Sequence, residues 1–438
     1  MVLQCFPTLP GDAPPLPQNF DARYKPPPHR EYPSNVKNAH PRDARLQFLE
    51  EHHIYLRDGG TPISESSTGA AKWKCGYFDP DDAIGKMKGG KAQRWPRRDL
   101  TVGRRQIHSV DDFDCTMGCM IVVGDLTASV LQPHSLIEAN GIETYTVLSE
   151  LMIEKYRGQQ AAEEWFVFER GMTDEEIKAM WAAGGEEASN RGTEAHLQMQ
   201  YVAEGLPHRD DPEVVIGKRF FADIPDDWEV YRTEWEILAD DEDLAGSIDL
   251  LIRHKTTGAV RIYDYKRAVK LPDKMHGYGK MKPPFQHLHD CDGAKYAMQL
   301  SIYQYMLTKY YGLVIEDRVL MSIHPDRPFL TSVPYLEDEV EHYMAVRRRL
   351  VKARAKVSRR CPLTGVALHD PVVVEGGQVV DRKSALVQGK TIVQDSEPCV
   401  QAAVEQEIEE NLEGPEPELG KMVPWYRLMP KQGIQPVF

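Results

Sequence analysis

Residues 229–269 read EVYRTEWEILADDEDLAGSIDLLIRHKTTGAVRIYDYKRAV. Three runs rich in β-branched and aromatic residues, at 229–238, 244–254 and 259–269, are separated by the acidic turn ADDED and by KTTG. Short runs of this composition, divided by turn residues, are typical of neighbouring antiparallel strands. The sequence therefore predicts a β-meander here, around which the rest of the fold is built.

Helical signals flank the meander on both sides. Thr173-Asp-Glu-Glu176 has the pattern of a capping box, in which the Thr hydroxyl and the Glu carboxylate satisfy backbone N–H groups at the start of a helix. Further helices are predicted over 186–204, 295–312 and 336–357, and a further strand over 314–324. The order helix, three strands, helix, strand predicts an α/β or α+β core.

The composition is that of an ordinary globular chain. The 438 residues are 41% apolar and 27% charged, which suits two or three domains of about 100–200 residues each. No apolar run approaches the roughly 18–20 residues that span a bilayer, and the N-terminus lacks the features of a secretory signal. Seven cysteines spread over the whole length suit a reducing compartment. We therefore expect an intracellular protein, nuclear or cytoplasmic, that is neither secreted nor in a membrane.

The charge is unevenly distributed. A net charge of −14 taken alone argues against a nucleic-acid-binding protein, but residues 391–420 hold nine acidic residues and no Lys or Arg. Two basic runs stand out at 86–105 and 347–360. Each run fits either a solvated helix face or linker, or a surface that contacts phosphates. Trp95 in the first run fits either local packing or stacking on an unpaired base.

Three charged residues of the meander are expected to meet. Asp264 and Lys266 are two apart on the third strand, so both side chains project from one face, and the hairpin places Asp249 of the middle strand beside Asp264. Adjacent carboxylates raise each other's pKa, and a hard cation such as Mg²⁺ relieves that repulsion while keeping positions for water or phosphate. The alternative is an exposed Asp264–Lys266 ion pair with a solvated Asp249.

Residues on the flanking helices complete a longer pattern. His196 lies on the preceding helix, and Gln299 and Tyr303 lie at i and i+4 on one face of the following helix. With Gly246-x-x-Asp249 and Asp264-x-Lys266, this order over about residues 185–325 resembles the PD-(D/E)XK nuclease superfamily, in particular the RecB-like exonuclease branch and nucleases of large DNA viruses. The resemblance implies a restriction-endonuclease-like core, in which helices flank a mixed β-sheet.

The resemblance also implies an activity, the hydrolysis of phosphodiester bonds in DNA during repair, recombination or replication. It implies four groups on a Mg²⁺ or Mn²⁺ ion: His196, Asp249, Asp264 and the backbone carbonyl of Tyr265. Lys266 would position the attacking water, and Gln299 and Tyr303 would hold the substrate strand near the scissile phosphate. Glu234, on the first strand of the meander, is a minor candidate for an additional acidic ligand.

Several alternatives stay open for the sequence alone. Some RecB-like nucleases carry an iron–sulfur cluster, but Cys291, Cys361 and Cys399 are too far apart in the sequence for the usual ligand spacing, so none is expected. A closed tunnel around the strand would favour exonuclease action on ends, and an open groove would favour endonuclease action. RNA is an alternative substrate, since no feature of the sequence indicates whether a 2′-hydroxyl is recognised.

A second resemblance lies near the C-terminus. Residues 361–386 read CPLTGVALHDPVVVEGGQVVDRKSAL, and Cys361-Pro-Leu-Thr followed by Asp370-Pro-Val-Val and Arg382 resembles the start of a U-box, which hydrogen bonds and salt bridges hold together in place of zinc. Residues 391–410 resemble its closing strand and helix, whereas the central helix is missing or very short. The resemblance implies a module that binds a protein partner. A rival function for the whole chain is then a ubiquitin ligase with an inactive nuclease domain. The structural alternative is a simple β-hairpin cap.

The sequence therefore predicts six segments: a Pro-rich disordered arm (1–45), a mixed, mainly helical N-terminal lobe (46–184), the nuclease core (185–346), a basic helix or linker (347–360), the shortened U-box-like module (361–410) and a tail (411–438).

Overall fold

The structure is a computed structural model that describes residues 29–76, 78–89, 97–107, 144–146, 162–171, 173–269, 271–277, 279–428 and 435–436. The chain divides into two compact units, Met1–Gly76 with Asn190–Phe438, and Tyr77–Ser189. Residues 1–28 of the expected arm, and Trp95 in the first basic run, lie outside the described residues.

The secondary structure alternates between helices and strands. The helices are α1 (Pro33–Lys37), α2 (Ser67–Ala71), α3 (Pro80–Gly89), α4 (Asp174–Glu204), α5 (Pro212–Ala222), α6 (Asp292–Tyr311), α7 (Glu337–Lys356), α8 (Arg382–Val387), α9 (Pro398–Glu410) and α10 (Trp425–Leu428). The strands are β1 (Leu46–Leu49), β2 (Ile54–Arg57), β3 (Thr61–Pro62), β4 (Glu65–Ser66), β5 (Arg97–Ile107), β6 (Thr144–Thr146), β7 (Ala162–Gly171), β8 (Trp228–Ala239), β9 (Leu244–His254), β10 (Val260–Lys266), β11 (Ile315–Ser322), β12 (Phe329–Ser332), β13 (Pro371–Val374), β14 (Val379–Asp381), β15 (Ile392–Asp395) and β16 (Gln435–Pro436).

The first unit is built on a mixed sheet with the order β16-β12-β11-β10-β9-β4, and β8 also pairs with β9. Strands β8, β9 and β10 form an antiparallel meander, as their composition predicts, and β10 runs parallel to β11. Parallel neighbours need a crossover connection, which α6 supplies. The fold is therefore mixed α/β.

Helices cover both faces of this sheet because successive strand residues point to opposite sides. On one side, Leu250 of β9 belongs to a buried cluster with Met199 of α4 and Phe220 of α5. On the other, Leu251 belongs to a larger cluster with Leu300 of α6 and Val340 of α7. Both faces of β9 and β10 are thus buried, which leaves the strand ends as the place where polar side chains can gather.

The helix boundaries follow the local signals with one difference. In the capping box, Thr173 N donates to Glu176 Oε2 (3.0 Å) and Glu176 N donates to Thr173 Oγ1 (3.2 Å). Helix α6 ends at Gly312, whose φ of 68° is the left-handed value that terminates helices. Helix α4 is one helix of 31 residues and does not break before 186, because the adjacent Gly184 and Gly185 cost a helix only about 1 kcal/mol each.

Residues 29–45 are ordered, unlike the disordered arm that the Pro-rich composition indicates. Asn35 of α1 is 3% exposed and donates a 2.9 Å hydrogen bond from Nδ2 to Thr233 O of β8. Arg232 Nη1 lies 2.7 Å from Asp43 Oδ2. These contacts join residues nearly 200 positions apart, so composition could not reveal them.

The expected lobe over 46–184 also differs from the structure. Residues 46–76 belong to the first unit, where β4 pairs in parallel with β9 at Leu244 and Ala245. The second unit contains an antiparallel sheet of order β5-β7-β6 besides helical segments, so its described part is not mainly helical. The run Trp165-Phe-Val-Phe168 favours a strand over a helix, since aromatic and β-branched residues fit a pleated surface.

The C-terminal segments are continuous with the core. Residues 347–356 are the second half of α7 and not a separate linker. After them, β13, β14 and β15 form a small antiparallel sheet with α8 and α9, around a buried cluster that includes Val372 and Val404. Among the described residues, no helix has both the length and the apolar character required to cross a bilayer.

Candidate functional site

The ends of β9 and β10 bring the three charged residues of the meander together. Tyr263 pairs with Leu250 as the last pair of this ladder, so Asp264 and Asp249 follow where the two strands part. The backbone N–H of Tyr265 then donates to Asp249 Oδ2 over 2.6 Å. Lys266 Nζ lies 2.6 Å from Asp264 Oδ2. Asp249, Asp264 and Lys266 thus share one edge of the sheet.

His196 of α4 reaches the same edge. Its Nδ1 atom lies 3.4 Å from Asp249 Oδ2, and its ring stands edge-on to Tyr265 at 5.6 Å between centroids. The Tyr265 side chain is 1% exposed and packs in the apolar cluster under α4 and α5. Tyr265 therefore faces the carboxylates through its backbone alone.

Glu234 of β8 joins this group and has an unusual backbone. The pairs Thr233 with Leu250 and Trp235 with Ile248 place Glu234 opposite Asp249. Its φ of 42° is in the left-handed region, which costs a non-glycine residue about 1–3 kcal/mol and is most often found at functional sites. Potential ligand atoms of His196, Glu234 and Asp249 lie within 4.8 Å of one another.

The carboxylates differ in protonation. Burial, followed by the charge of Asp249, raises the pKa of Glu234 to about 8. Burial also raises the pKa of Asp264, although Lys266 opposes that shift. Burial alone would also raise the pKa of Asp249, but the charges of His196 and Lys266 outweigh the effect of burial and hold this pKa below the usual value. Without another cation, the carboxylates at this edge therefore cannot all be ionised at neutral pH.

The neighbouring carboxylates favour the charged forms of both basic groups of the site. Burial alone would lower the pKa of Lys266, but Asp264 and Asp249 reverse the shift and raise it. Burial likewise acts to lower the pKa of His196, and Asp249 outweighs it so that the net shift is upward. The ammonium of Lys266 also lies 4.9 Å from the centre of the Tyr296 ring. Lys266 is thus a fixed positive charge at the edge of the cluster.

One carboxylate oxygen stands out. Asp264 Oδ2 is fully buried and makes no hydrogen bond of acceptable geometry, although Lys266 Nζ lies 2.6 Å away. Buried polar atoms are nearly always hydrogen-bonded, and those that are not usually serve in catalysis or face an ion or a water. The Lys266 ammonium is thus the partner of this oxygen, and Asp264 is not among the residues whose ligand atoms meet within 4.8 Å.

Gln299 and Tyr303 of α6 form a second, adjoining group. Gln299 Nε2 donates to Tyr303 OH over 3.0 Å and to Thr68 Oγ1 over 3.3 Å. Ser67 Oγ donates to Tyr303 OH over 3.0 Å. The two residues lie together on one helix face, as their spacing predicts. Because Tyr303 is only 3% exposed, Gln299 is the member of the pair that can contact a substrate directly.

Sequence reasoning missed Ser67 and Thr68. They lie at the start of α2, which follows β4, and β4 pairs with β9 just before Gly246. A Cβ on Gly246 would clash with Ser67 Oγ and would lie 2.8 Å from Tyr303 Cε1, so glycine is required for this close approach. No local signal marks Ser67, since it is 236 positions from its partner Tyr303.

The second basic run is largely engaged in contacts within the chain. Arg347 is 4% exposed and donates to backbone oxygens of Glu242 and Asp243, and Arg348 Nη1 lies 2.6 Å from Glu242 Oε1. These two residues therefore support the fold and are not a free phosphate-binding surface.

Comparisons with protein-family models and with curated proteins find no match for this chain. The site must accordingly be interpreted from its own geometry.

Proposed function

We propose that the chain is a divalent-cation-dependent nuclease that hydrolyses phosphodiester bonds in DNA. One observation carries the proposal: His196, Glu234 and Asp249 offer ligand atoms within 4.8 Å of one another, at the sheet edge where the Asp264–Lys266 ion pair also lies. The sheet has helices on both faces and charged residues at one edge, and both features agree with a restriction-endonuclease-like core of the PD-(D/E)XK type. We extend the proposal to a RecB-like exonuclease acting in repair, recombination or replication.

The donor set fits a Mg²⁺ or Mn²⁺ ion. Carboxylate oxygens are the ligands that hard divalent cations prefer, and an imidazole is acceptable to Mn²⁺. His196, Glu234 and Asp249 would hold the ion, and the family resemblance adds Asp264, which is paired with Lys266, and the Tyr265 carbonyl. Such an ion acidifies its bound water and stabilises charge on a phosphate oxygen.

The chain's own residues supply the remaining requirements of hydrolysis. Lys266 is charged and held by Asp264, so its ammonium can orient a water and offset negative charge on the phosphate. Glu234, whose pKa is about 8, would give up its proton when it binds the ion. Gln299, fixed by Tyr303 and Thr68, presents an amide with which to position a substrate strand.

The test is cleavage of labelled DNA by the purified chain with Mg²⁺, with Mn²⁺ and with EDTA. Single strands, linear duplexes and circular duplexes separate exonuclease from endonuclease action, and a matched RNA tests the alternative substrate. Lys266→Ala should abolish cleavage, whereas Lys255→Ala, at an exposed turn, should not change it. Cleavage that is independent of metal, or equal in the Lys266→Ala chain, would exclude the proposal.

A second proposal concerns residues 361–410, which we infer to be a shortened U-box-like module for a protein partner. Side-chain contacts tie its loops together: Asp381 N donates to Cys361 Sγ (3.3 Å), Thr364 Oγ1 bonds Ser384 Oγ (2.7 Å), and Arg382 pairs with Asp370 (2.7 Å). The helix between the strands, α8, has only six residues.

The rival function, ubiquitin transfer beside an inactive nuclease, is tested by incubating the chain with ubiquitin, the activating enzyme and a panel of conjugating enzymes. Ubiquitin chains that require residues 361–410, together with the absence of cleavage in every DNA and RNA assay, would favour this rival. Cleavage without ubiquitin transfer would leave the module as an interaction or structural element.

A further inference from the structure

A cavity of about 460 Å³ lies between β2, β3, the end of α7 and the start of α8. Its lining includes Arg57, Arg354, Arg360 and Lys383. None of the nuclease candidates lines it, so the role of this cavity is independent of the proposed function. Its volume falls within the roughly 300–1,000 Å³ of pockets that hold small ligands.

Arg354 is the unusual member of this lining. Its Nε and Nη1 atoms are buried and have no hydrogen-bond partner. Burial, followed by the nearby charge of Arg347, lowers the pKa of Arg354 to about 10. Buried guanidinium nitrogens without acceptors are costly, since they lose hydration that no hydrogen bond replaces.

Two other cations of the cavity, Lys383 and Arg360, donate to backbone oxygens. Lys383 Nζ donates to the backbone oxygens of Ile63 and Ser64, each at 2.9 Å. Arg360 donates to the backbone oxygen of Gly365 over 2.9 Å. Both are held in place by neutral acceptors, so their charges remain uncompensated.

Three carboxylates lie among the four cations of the lining, and each has contacts within the chain, although Asp243 Oδ1 makes no hydrogen bond. Asp370 accepts from Arg382 Nε (2.7 Å), and Asp381 accepts from the backbone N–H groups of His369 and Asp370. Asp243 accepts from Ser64 N (3.1 Å) and lies 3.4 Å from Arg57 Nη1. The lining therefore has a surplus of positive charge contributed by separate elements.

We infer that this cavity binds a small organic anion through a phosphate monoester group. Several cations on separate elements match a dianion whose three terminal oxygens point in different directions, and guanidinium groups are well suited to phosphate. The space beyond one phosphate would accommodate the organic part of the ligand.

The experiment measures binding to the full chain in EDTA by calorimetry and by thermal unfolding. The probes are 5′-deoxyadenosine monophosphate, inorganic phosphate, deoxyadenosine and succinate. Saturable binding of the monophosphate is expected, with deoxyadenosine and succinate at least tenfold weaker. Arg354→Met should weaken it at least tenfold and Lys383→Met should weaken it as well. Lys352→Ala, exposed on the same helix, and Lys266→Ala should retain it.

Thermal unfolding gives an independent readout. Because Arg354 is an unpaired buried cation in the free protein, Arg354→Met should raise Tm by a few degrees without ligand and remove the ligand-dependent increase. The inference is overturned if no phosphate probe binds saturably, if succinate or deoxyadenosine binds as tightly as the monophosphate, or if Arg354→Met leaves affinity unchanged. It is equally overturned if Arg354→Met lowers Tm or prevents folding, because Arg354 would then have a structural partner.

Discussion

Two buried acidic groups of this protein are built in opposite ways. Glu242 is fully buried and accepts hydrogen bonds from Tyr305, Lys309, Tyr310 and Arg348. Both of its carboxylate oxygens therefore have donors. At the end of β9 and β10, three carboxylates lie beside Lys266 and His196, which pair with Asp264 and Asp249 respectively.

The difference separates a structural role from a functional one. A satisfied carboxylate such as Glu242 joins elements and gains little from any further ligand. An under-partnered cluster costs stability and is retained where a ligand or a reaction completes it. Variants of the two groups test whether they really differ in this way.

The largest expected effect is on activity. Lys266→Ala should lower the rate of Mg²⁺-dependent DNA cleavage by about 10²–10³-fold, since a single positioned charge at a reacting phosphate contributes that much. Lys309→Ala, which removes one of the donors to Glu242, should keep the wild-type rate. Single-turnover cleavage of end-labelled DNA measures both. Similar losses in the two variants would contradict the distinction.

The next effect is on stability. Glu242→Ala should lower the free energy of unfolding by about 1–3 kcal/mol, because the half-buried Lys309 and Arg348 lose their shared buried acceptor. Urea denaturation measures this change. Glu316→Ala removes an exposed partner of Arg261 and should cost less than about 1 kcal/mol. If both variants lost the same stability, Glu242 would not be a structural centre.

A third experiment disturbs the packing beside the carboxylates. Gly246→Ala places a Cβ against Ser67 and Tyr303, so Tyr303 and Gln299 must shift and we expect a rate at least tenfold lower with about 1–3 kcal/mol less stability. Gly185→Ala, in α4 with no atom within 4 Å of the new Cβ, should stabilise by about 0.5–1 kcal/mol. Cleavage assays and denaturation of both variants provide the check, and an unaffected rate in Gly246→Ala would separate Tyr303 from the site.

The smallest effect is a pH dependence. The pKa of Glu234 is raised from 4.5 to about 8, so between those values the folded protein holds a proton that the unfolded chain has lost. The free energy of unfolding should therefore decrease as pH rises from 5 to 8, and Glu234→Gln should remove a part of that decrease on the order of 1–2 kcal/mol.

Denaturation in EDTA at several pH values measures this slope, with Glu316→Gln as the control at an exposed position. Parallel curves for wild-type and Glu234→Gln would show that Glu234 is ionised in the folded protein across this range. Burial and the charge of Asp249 would then disfavour ionisation of Glu234 less than the geometry indicates.

The meander and its charged residues could be read from the sequence because they depend on neighbours only a few positions apart. Strand alternation puts Asp264 and Lys266 on one face, and a short hairpin places Asp249 beside Asp264. The helix spacing of Gln299 and Tyr303 and the capping box at Thr173 are equally local. The metal, the DNA substrate and the family resemblance stay predictions that the proposed assays must test.

Other features exist only through long-range contacts. The pairing of β4 with β9 brings Ser67 to Tyr303, residues 29–45 are ordered by contacts with β8, and the cavity around Arg354 needs four separated elements. Local propensity and periodicity determine which segments become strands and helices. Which side chains are then left buried without a partner depends on how those segments pack, since burial and hydrogen-bond satisfaction are properties of the assembled structure.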